Sequence, residues 1–224
     1  MKSLTHLTRI QWLLMSLLTI GSPQGQAADD PLRWEAEVRE FEAADKKHPP
    51  PPHPILFTGS SSIRLWKNLQ ESFPGMNVLG RGIGGSQMSE LNHYIDRLVL
   101  AYQPKQVLVY EGDNDIASGK TPQQVLTDFR FFVDRVHGQR PGTRISYIAI
   151  KPSKARWHLL DSVRKTNRLI RNYARWARHV EFIDVYSPML QPDGRLREEL
   201  FAPDGLHLNP KGYAVWAEVI RRRL

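Results

Sequence analysis

Pro54-Ile-Leu-Phe-Thr-Gly-Ser-Ser-Ser-Ile-Arg-Leu-Trp66 is the stretch that decides how this chain folds. Ile55 to Thr58 is a brief apolar run, partly β-branched or aromatic, behind a proline cluster, which predicts a buried strand. Gly59 and three serines then allow a sharp turn out of a sheet, and Ile63, Leu65, Trp66 and Leu69 suit one side of a following helix. A serine at such a turn has its hydroxyl at the strand's carboxyl end, where open α/β sheets place their ligands. Small polar residues between a strand and a helix also serve as N-caps, and on these residues alone that is their commoner use.

Working outward, the strand-then-helix pattern repeats. Asn77 to Leu79 leads into Ser86 to Tyr102, Gln106 to Tyr110 into Thr121 to His137, and Arg144 to Ile150 into Trp157 to Arg178. Thr121-Pro122 reads as a helix start, with Gly138 and Pro141 as its end. Val180 to Val185 is the last strand and Asn209 to Ile220 the closing helix. This alternation implies an α/β fold, a three-layer α/β/α sandwich on about five parallel strands. Ahead of it, Pro31 to Lys47 carries Leu32, Trp34, Val38, Phe41 and Ala44 at helical spacing, so an amphipathic helix with Trp34 in the core is expected. His48-Pro-Pro-Pro-Pro-His53 is a stiff connector whose two histidines, lacking a third partner, read as solvated rather than metal-binding.

With 224 residues, no cysteine and 41% hydrophobic content, one domain with a sizeable core is expected, and disulfides and thiolate metal sites are excluded. Met1 to Ala28 has the layout of a secretory signal: Lys2 and Arg9, the apolar run Ile10 to Ile20, then Gly25-Gln-Ala27. The expected organisation is therefore a signal peptide over 1–27, an N-terminal helix and proline-rich connector over 28–53, and the α/β domain over 54–224, in a protein exported to the periplasm or the medium. The apolar run is short for a membrane span and no cysteine follows it, so no stable membrane anchor is expected. The formal charge of +8 is spread along the chain apart from Arg221–Arg223 and the Arg164 to Arg178 helix face. That distribution suits a solvated surface, and no nucleic-acid partner is expected.

In a parallel sheet the loops after the strands open on one edge, and four of them carry candidate chemistry. The first holds Ser61. The second, Gly82-Ile-Gly-Gly-Ser-Gln87, lets backbone amides point at an anion, although a tight turn explains it equally well. It lacks the third glycine of a dinucleotide loop, and no P-loop lysine is present. The third, Glu111-Gly-Asp-Asn-Asp115, does not match a calcium loop; Asn114 could donate from its amide, or close an Asx turn. The fourth, Pro203-Asp-Gly-Leu-His-Leu-Asn-Pro210, sets Asp204 three residues before His207. A turn at Gly205 brings the carboxylate onto one imidazole nitrogen and leaves the other free to take a proton from serine. A capping aspartate beside a surface histidine has the same pattern.

Together these loops resemble the SGNH branch of the GDSL lipase/acylhydrolase superfamily, whose blocks occur in this order and at comparable spacing. Further similarity to a bacterial exported subgroup lies in Phe41-Glu42, Gly59 to Trp66 and Lys151-Pro-Ser153. The resemblance implies a flavodoxin-like SGNH hydrolase fold over 54–224 and a serine esterase working through an acyl-serine intermediate without metal or organic cofactor. It assigns Ser61 as nucleophile, Asp204 and His207 as the base pair, and the amides of Ser61 and Gly85 with the Asn114 side chain as oxyanion donors. Two positions depart from the pattern: Ser60 replaces the usual aspartate, and Gly80 stands where many relatives have asparagine. With three serines in a row, Ser60 and Ser62 are alternative nucleophiles, and the register with Gly59 favours Ser61. An α/β-hydrolase elbow fails because Ile63 stands where its second glycine belongs.

Lys151 and Trp157, with His158, are candidate substrate contacts, since an aromatic platform beside a cation suits an acylated sugar. Trp66 could join them, but a packed role under its helix is favoured. A short-chain or O-acetyl saccharide ester is the expected substrate. The alternatives are a lysophospholipid or thioester, or an inert envelope-binding module of the same fold.

Overall fold

The computed structural model describes residues 30–224, and the expected leader lies outside them. Five strands, β1 (Ile55–Gly59), β2 (Val78–Gly82), β3 (Gln106–Tyr110), β4 (Arg144–Ile148) and β5 (Val180–Ile183), form one sheet in the order β2-β1-β3-β4-β5. Every pairing is parallel. Strands β1 and β3 are buried at every residue, as a sheet covered on both faces requires. The helices are α1 (Glu35–Lys47), α2 (Ser61–Arg64), α3 (Leu69–Ser72), α4 (Met88–His93), α5 (Ile95–Leu98), α6 (Asp113–Ala117), α7 (Pro122–Gln139), α8 (Leu160–Ala174) and α9 (Pro210–Arg221).

Side chains alternate along each strand, so the sheet feeds two cores. Leu56, Val107, Val109 and Tyr147 pack with Leu91, Phe129 and Phe132 on one face. Phe57, Leu108, Tyr110 and Ile148 pack with Trp66, Phe73 and Trp216 on the other. There the Trp66 ring lies 5.8 Å from Phe57, 5.7 Å from Phe73 and 5.0 Å from Tyr213. Such ring pairs add roughly 0.5–1.5 kcal/mol each beyond the area they bury.

Three local expectations are corrected. The segment after β1 is not one helix through Leu69: α2 stops at Arg64, Leu65 is left 38% exposed, and burial of Trp66 decides the path instead. Gly138 does not end α7, which runs to Gln139 and closes before Pro141, a residue with no N–H to donate. The N-terminal segment begins as a 3-10 turn over Pro31–Trp34, capped by Asp30 accepting from the Leu32 amide, and Leu32 itself is exposed.

Helix α1 is held to the body by ion pairs. Arg97 reaches Glu35 at 2.7 Å and Glu42 at 2.6 Å, Arg81 pairs with Asp45, and Arg64 at the end of α2 meets Glu37 at 3.0 Å. Among the described residues no helix is long and apolar enough to cross a membrane.

Candidate active site

Strand register sets up the site. Gly59 lies opposite both Gly82 and Tyr110, so the chain leaves β2, β1 and β3 at neighbouring points on one edge. At Gly59 the backbone has φ +122°, and a Cβ there would fall 2.0 Å from the Tyr110 carbonyl oxygen. Only glycine lets β1 end this close to β3. The Ser60 amide then donates to that same carbonyl at 3.0 Å, and Ser61 becomes the first residue of α2.

Of the three serines, Ser60 and Ser62 are 2% exposed while Ser61 is only partly buried. The Ser61 Oγ lies 3.1 Å from His207 Nε2. On the far side of the ring, His207 Nδ1 is 2.6 Å from Asp204 Oδ2. The Asp204 Oδ1 accepts from the Leu206 and His207 amides at 2.9 Å each, a tight turn that Gly205 permits with φ +64°. The hydrogen bond to His207, helped by these amides, holds the Asp204 carboxyl down at about 2. It is therefore ionised at neutral pH, which keeps the proton on Nδ1 and leaves Nε2 as the acceptor facing Ser61.

Two other loops meet beside this triad. The Asn114 Nδ2 donates to the Ser86 carbonyl at 2.9 Å, tying the start of α6 to the loop that carries Gly85. Among the described residues, neither the Ser61 nor the Gly85 amide donates to a backbone carbonyl, so both are available to an anion. The tip of the Trp34 ring would stand 3.7 Å from a Cβ on Gly85, so the N-terminal turn covers that loop. Trp34 is thus half-buried, packed against the core and beside Gly85 rather than lying wholly within the interior.

Lys151 is corrected as a substrate contact. It is 2% exposed, and its Nζ sits 2.8 Å from Asp113 Oδ2 and 3.3 Å from the Tyr110 hydroxyl. Its charge is spent inside the protein, balancing a buried carboxylate. Burial alone would raise the Asp113 carboxyl, but Lys151 and Arg156 outweigh burial and hold it below its ordinary value. Trp66 is core, and Trp157 is 40% exposed. Trp157 lines a cavity of about 470 Å³ with Lys154, Gln191, Arg195 and Glu198. The cavity-lining Lys154 lies against the turn that carries Asp204, with its Cβ 3.2 Å from a Cβ placed on Gly205 and the next amide, of Ala155, donating to the Gly205 carbonyl at 3.1 Å.

Arg156 was absent from the sequence reading. Its guanidinium donates to Asn114 Oδ1 at 2.9 Å and pairs with Asp113 at 2.6 Å, which fixes the orientation of the Asn114 amide. The signal was positional: Arg156 lies in the loop that follows β4, on the edge where all these loops open. Among the described residues no group of three or more His, Asp or Glu has the geometry to hold a metal ion.

The sequence pattern of the GDSL-like lipase/acylhydrolase family matches residues 57–215. A protein from Streptococcus pneumonia described as a platelet activating factor superposes with a TM-score of 0.76 at 21% identity, over 86% of this chain and 93% of that one. A GDSL-like lipase from Bacteroides thetaiotaomicron superposes with a TM-score of 0.70 at 19% identity, over 84% of this chain and 97% of the other. Maternal effect protein oskar of Drosophila virilis is 27% identical over 131 residues, 57% of this chain. This chain spans only 22% of that relative's length.

Proposed function

Because the chain belongs to the GDSL-like lipase/acylhydrolase family, we propose that it is a serine hydrolase that cleaves a carboxylic ester through an acyl-Ser61 intermediate. One observation carries this reading: Ser61 Oγ at 3.1 Å from His207 Nε2, with Asp204 at 2.6 Å from Nδ1. His207 takes the Ser61 proton as Oγ attacks the acyl carbonyl, and Asp204 stabilises the imidazolium. The amides of Ser61 and Gly85 and the side chain of Asn114 receive the oxyanion. Collapse expels the alcohol, which leaves with the proton from His207. Water, deprotonated by the same imidazole, then releases the carboxylic acid and restores the hydroxyl.

For the substrate, a short acyl group on a saccharide fits best. The cavity beside the triad combines the face of Trp157 with Gln191 and with charges already paired to one another, such as Lys154 to Glu198 at 2.7 Å. Paired charges and an aromatic face suit a neutral, hydroxyl-rich alcohol better than a phosphate headgroup. The leader-like residues 1–27 would deliver the protein to the periplasm or the medium, where acylated glycans are accessible.

The test is hydrolysis of p-nitrophenyl acetate, followed by a panel of acetylated glycans and lysophospholipids. Ser61→Ala should abolish both turnover and labelling by a fluorophosphonate. An unreactive wild type that nevertheless binds glycans would replace the esterase with a binding module, and labelling that survives Ser61→Ala would move the nucleophile to another residue.

A further inference from the structure

Glu111, just past the carboxyl end of β3, is fully buried, and the triad chemistry makes no use of it. Its Oε1 lies 2.6 Å from Ser86 Oγ. The other carboxyl oxygen is inaccessible and has no hydrogen-bond partner among the described residues. The Ser86 Oγ is also 3.1 Å from the Ile83 carbonyl, which can only accept. A serine hydroxyl has one hydrogen, so once it goes to Ile83, the proton in the 2.6 Å contact must come from the carboxyl.

The opposite arrangement is unfavourable. An ionised Glu111 taking the serine proton would hold a charge in the interior with one oxygen unpartnered, and the Asp115 and Glu90 carboxylates would oppose it. The Lys120 charge offsets this only weakly. Burial, reinforced by Asp115, pushes the Glu111 carboxyl well above its ordinary range.

We propose that Glu111 is a positioning residue: as a neutral acid it donates a hydrogen bond to Ser86 and so fixes both oxyanion donors at once. Ser86 follows Gly85 directly, and its carbonyl receives the Asn114 amide at 2.9 Å. The Tyr147 hydroxyl donates to the Glu111 carbonyl at 2.6 Å, anchoring the assembly to β4. This inference rests on the reading of Gly85 and Asn114 as oxyanion donors.

The test compares the full chain as wild type, Glu111→Gln and Glu111→Ala. Glutamine keeps a donor for Ser86 without a titratable proton; alanine removes it. In infrared difference spectra at pH 7, the wild type should carry a protonated-carboxyl band that Glu111→Gln lacks. Toward p-nitrophenyl acetate, Glu111→Gln should stay within about threefold of the wild-type kcat, whereas Glu111→Ala should lose about tenfold to a hundredfold in kcat with KM unchanged. Absence of the infrared band overturns the proposal whatever the activity. So does a fully active Glu111→Ala, or a Glu111→Gln as impaired as Glu111→Ala. A wild type that hydrolyses nothing overturns the esterase reading, and the infrared band then decides the position of the proton by itself. The Glu111→Gln spectrum also remains decisive if Glu111→Ala fails to fold.

Discussion

Arg156 holds Asn114 by its side-chain oxygen, with the guanidinium 2.9 Å from Oδ1. One N–H of the amide goes to Ser86, and the other is left for a ligand. Arg156→Met should therefore lower kcat toward p-nitrophenyl acetate by about tenfold, with a smaller change in KM, because the donor survives but its aim does not. Asn114→Ala, which removes the donor itself, should cost on the order of a hundredfold or more. Steady-state kinetics on the two variants would rank them; equal activity in wild type and Asn114→Ala would remove Asn114 from the oxyanion site.

Asp204 should not titrate across the acid side of the pH profile. With its carboxyl held down at about 2, it stays ionised well below its ordinary pKa. A depressed folded-state pKa means that its contribution to stability is complete above the unfolded value and is lost only as pH falls through about 2. Any fall in kcat/KM between pH 3 and pH 6 should therefore reflect a different group. Asp204→Asn should lower kcat by roughly 10³–10⁴-fold through loss of the charge opposite Nδ1, which a pH–rate profile of both forms would measure.

Lys151→Ala would leave the buried Asp113 with Arg156 as its main counter-charge. Breaking one side of a buried pair typically costs about 3–5 kcal/mol. A drop of that order in urea-unfolding free energy is expected, partly recovered when Asp113→Asn is added. If Lys151→Ala were as stable as the wild type and defective only in substrate binding, the structural role given to this lysine would be wrong.

Two glycines should respond in opposite directions. Gly59→Ala places a methyl group 2.0 Å from the Tyr110 carbonyl oxygen at a left-handed backbone position, so loss of soluble protein is expected. Gly138 lies inside α7 with nothing within 4 Å of an added Cβ. There, alanine should stabilise by about 0.5–1 kcal/mol. Thermal unfolding of Gly138→Ala and soluble yield of Gly59→Ala are the measurements.

The sheet was legible because its strands are short apolar runs bounded by breakers, and β3 falls on the residues that its pattern marks, Gln106 to Tyr110. The pairing of Asp204 with His207 was legible because both are local to one turn, and the three consecutive serines after Gly59 leave few candidates for the hydroxyl. What escaped was set by depth. Lys151 and Arg156 lie in the same loop with the same charge, and nothing in their spacing says which is buried against Asp113 and which reaches Asn114. The proton between Glu111 and Ser86 was equally hidden, since it depends on residues 25 positions apart meeting in the interior. Helix ends failed where tertiary packing overrode local signals, as at Leu65 and Gly138.

Trp34 stands over Gly85, yet it belongs to a segment that precedes residues 57–215. The ring beside this glycine is thus drawn from sequence that the shared motifs do not include, and the helix that follows it is tied to the body by its own acidic side chains. Related chains with the same four loops could therefore differ around Gly85 simply by differing in this opening turn, and trimming the chain back to the proline run would keep Ser61, Asp204 and His207 while removing the indole that lies against that glycine.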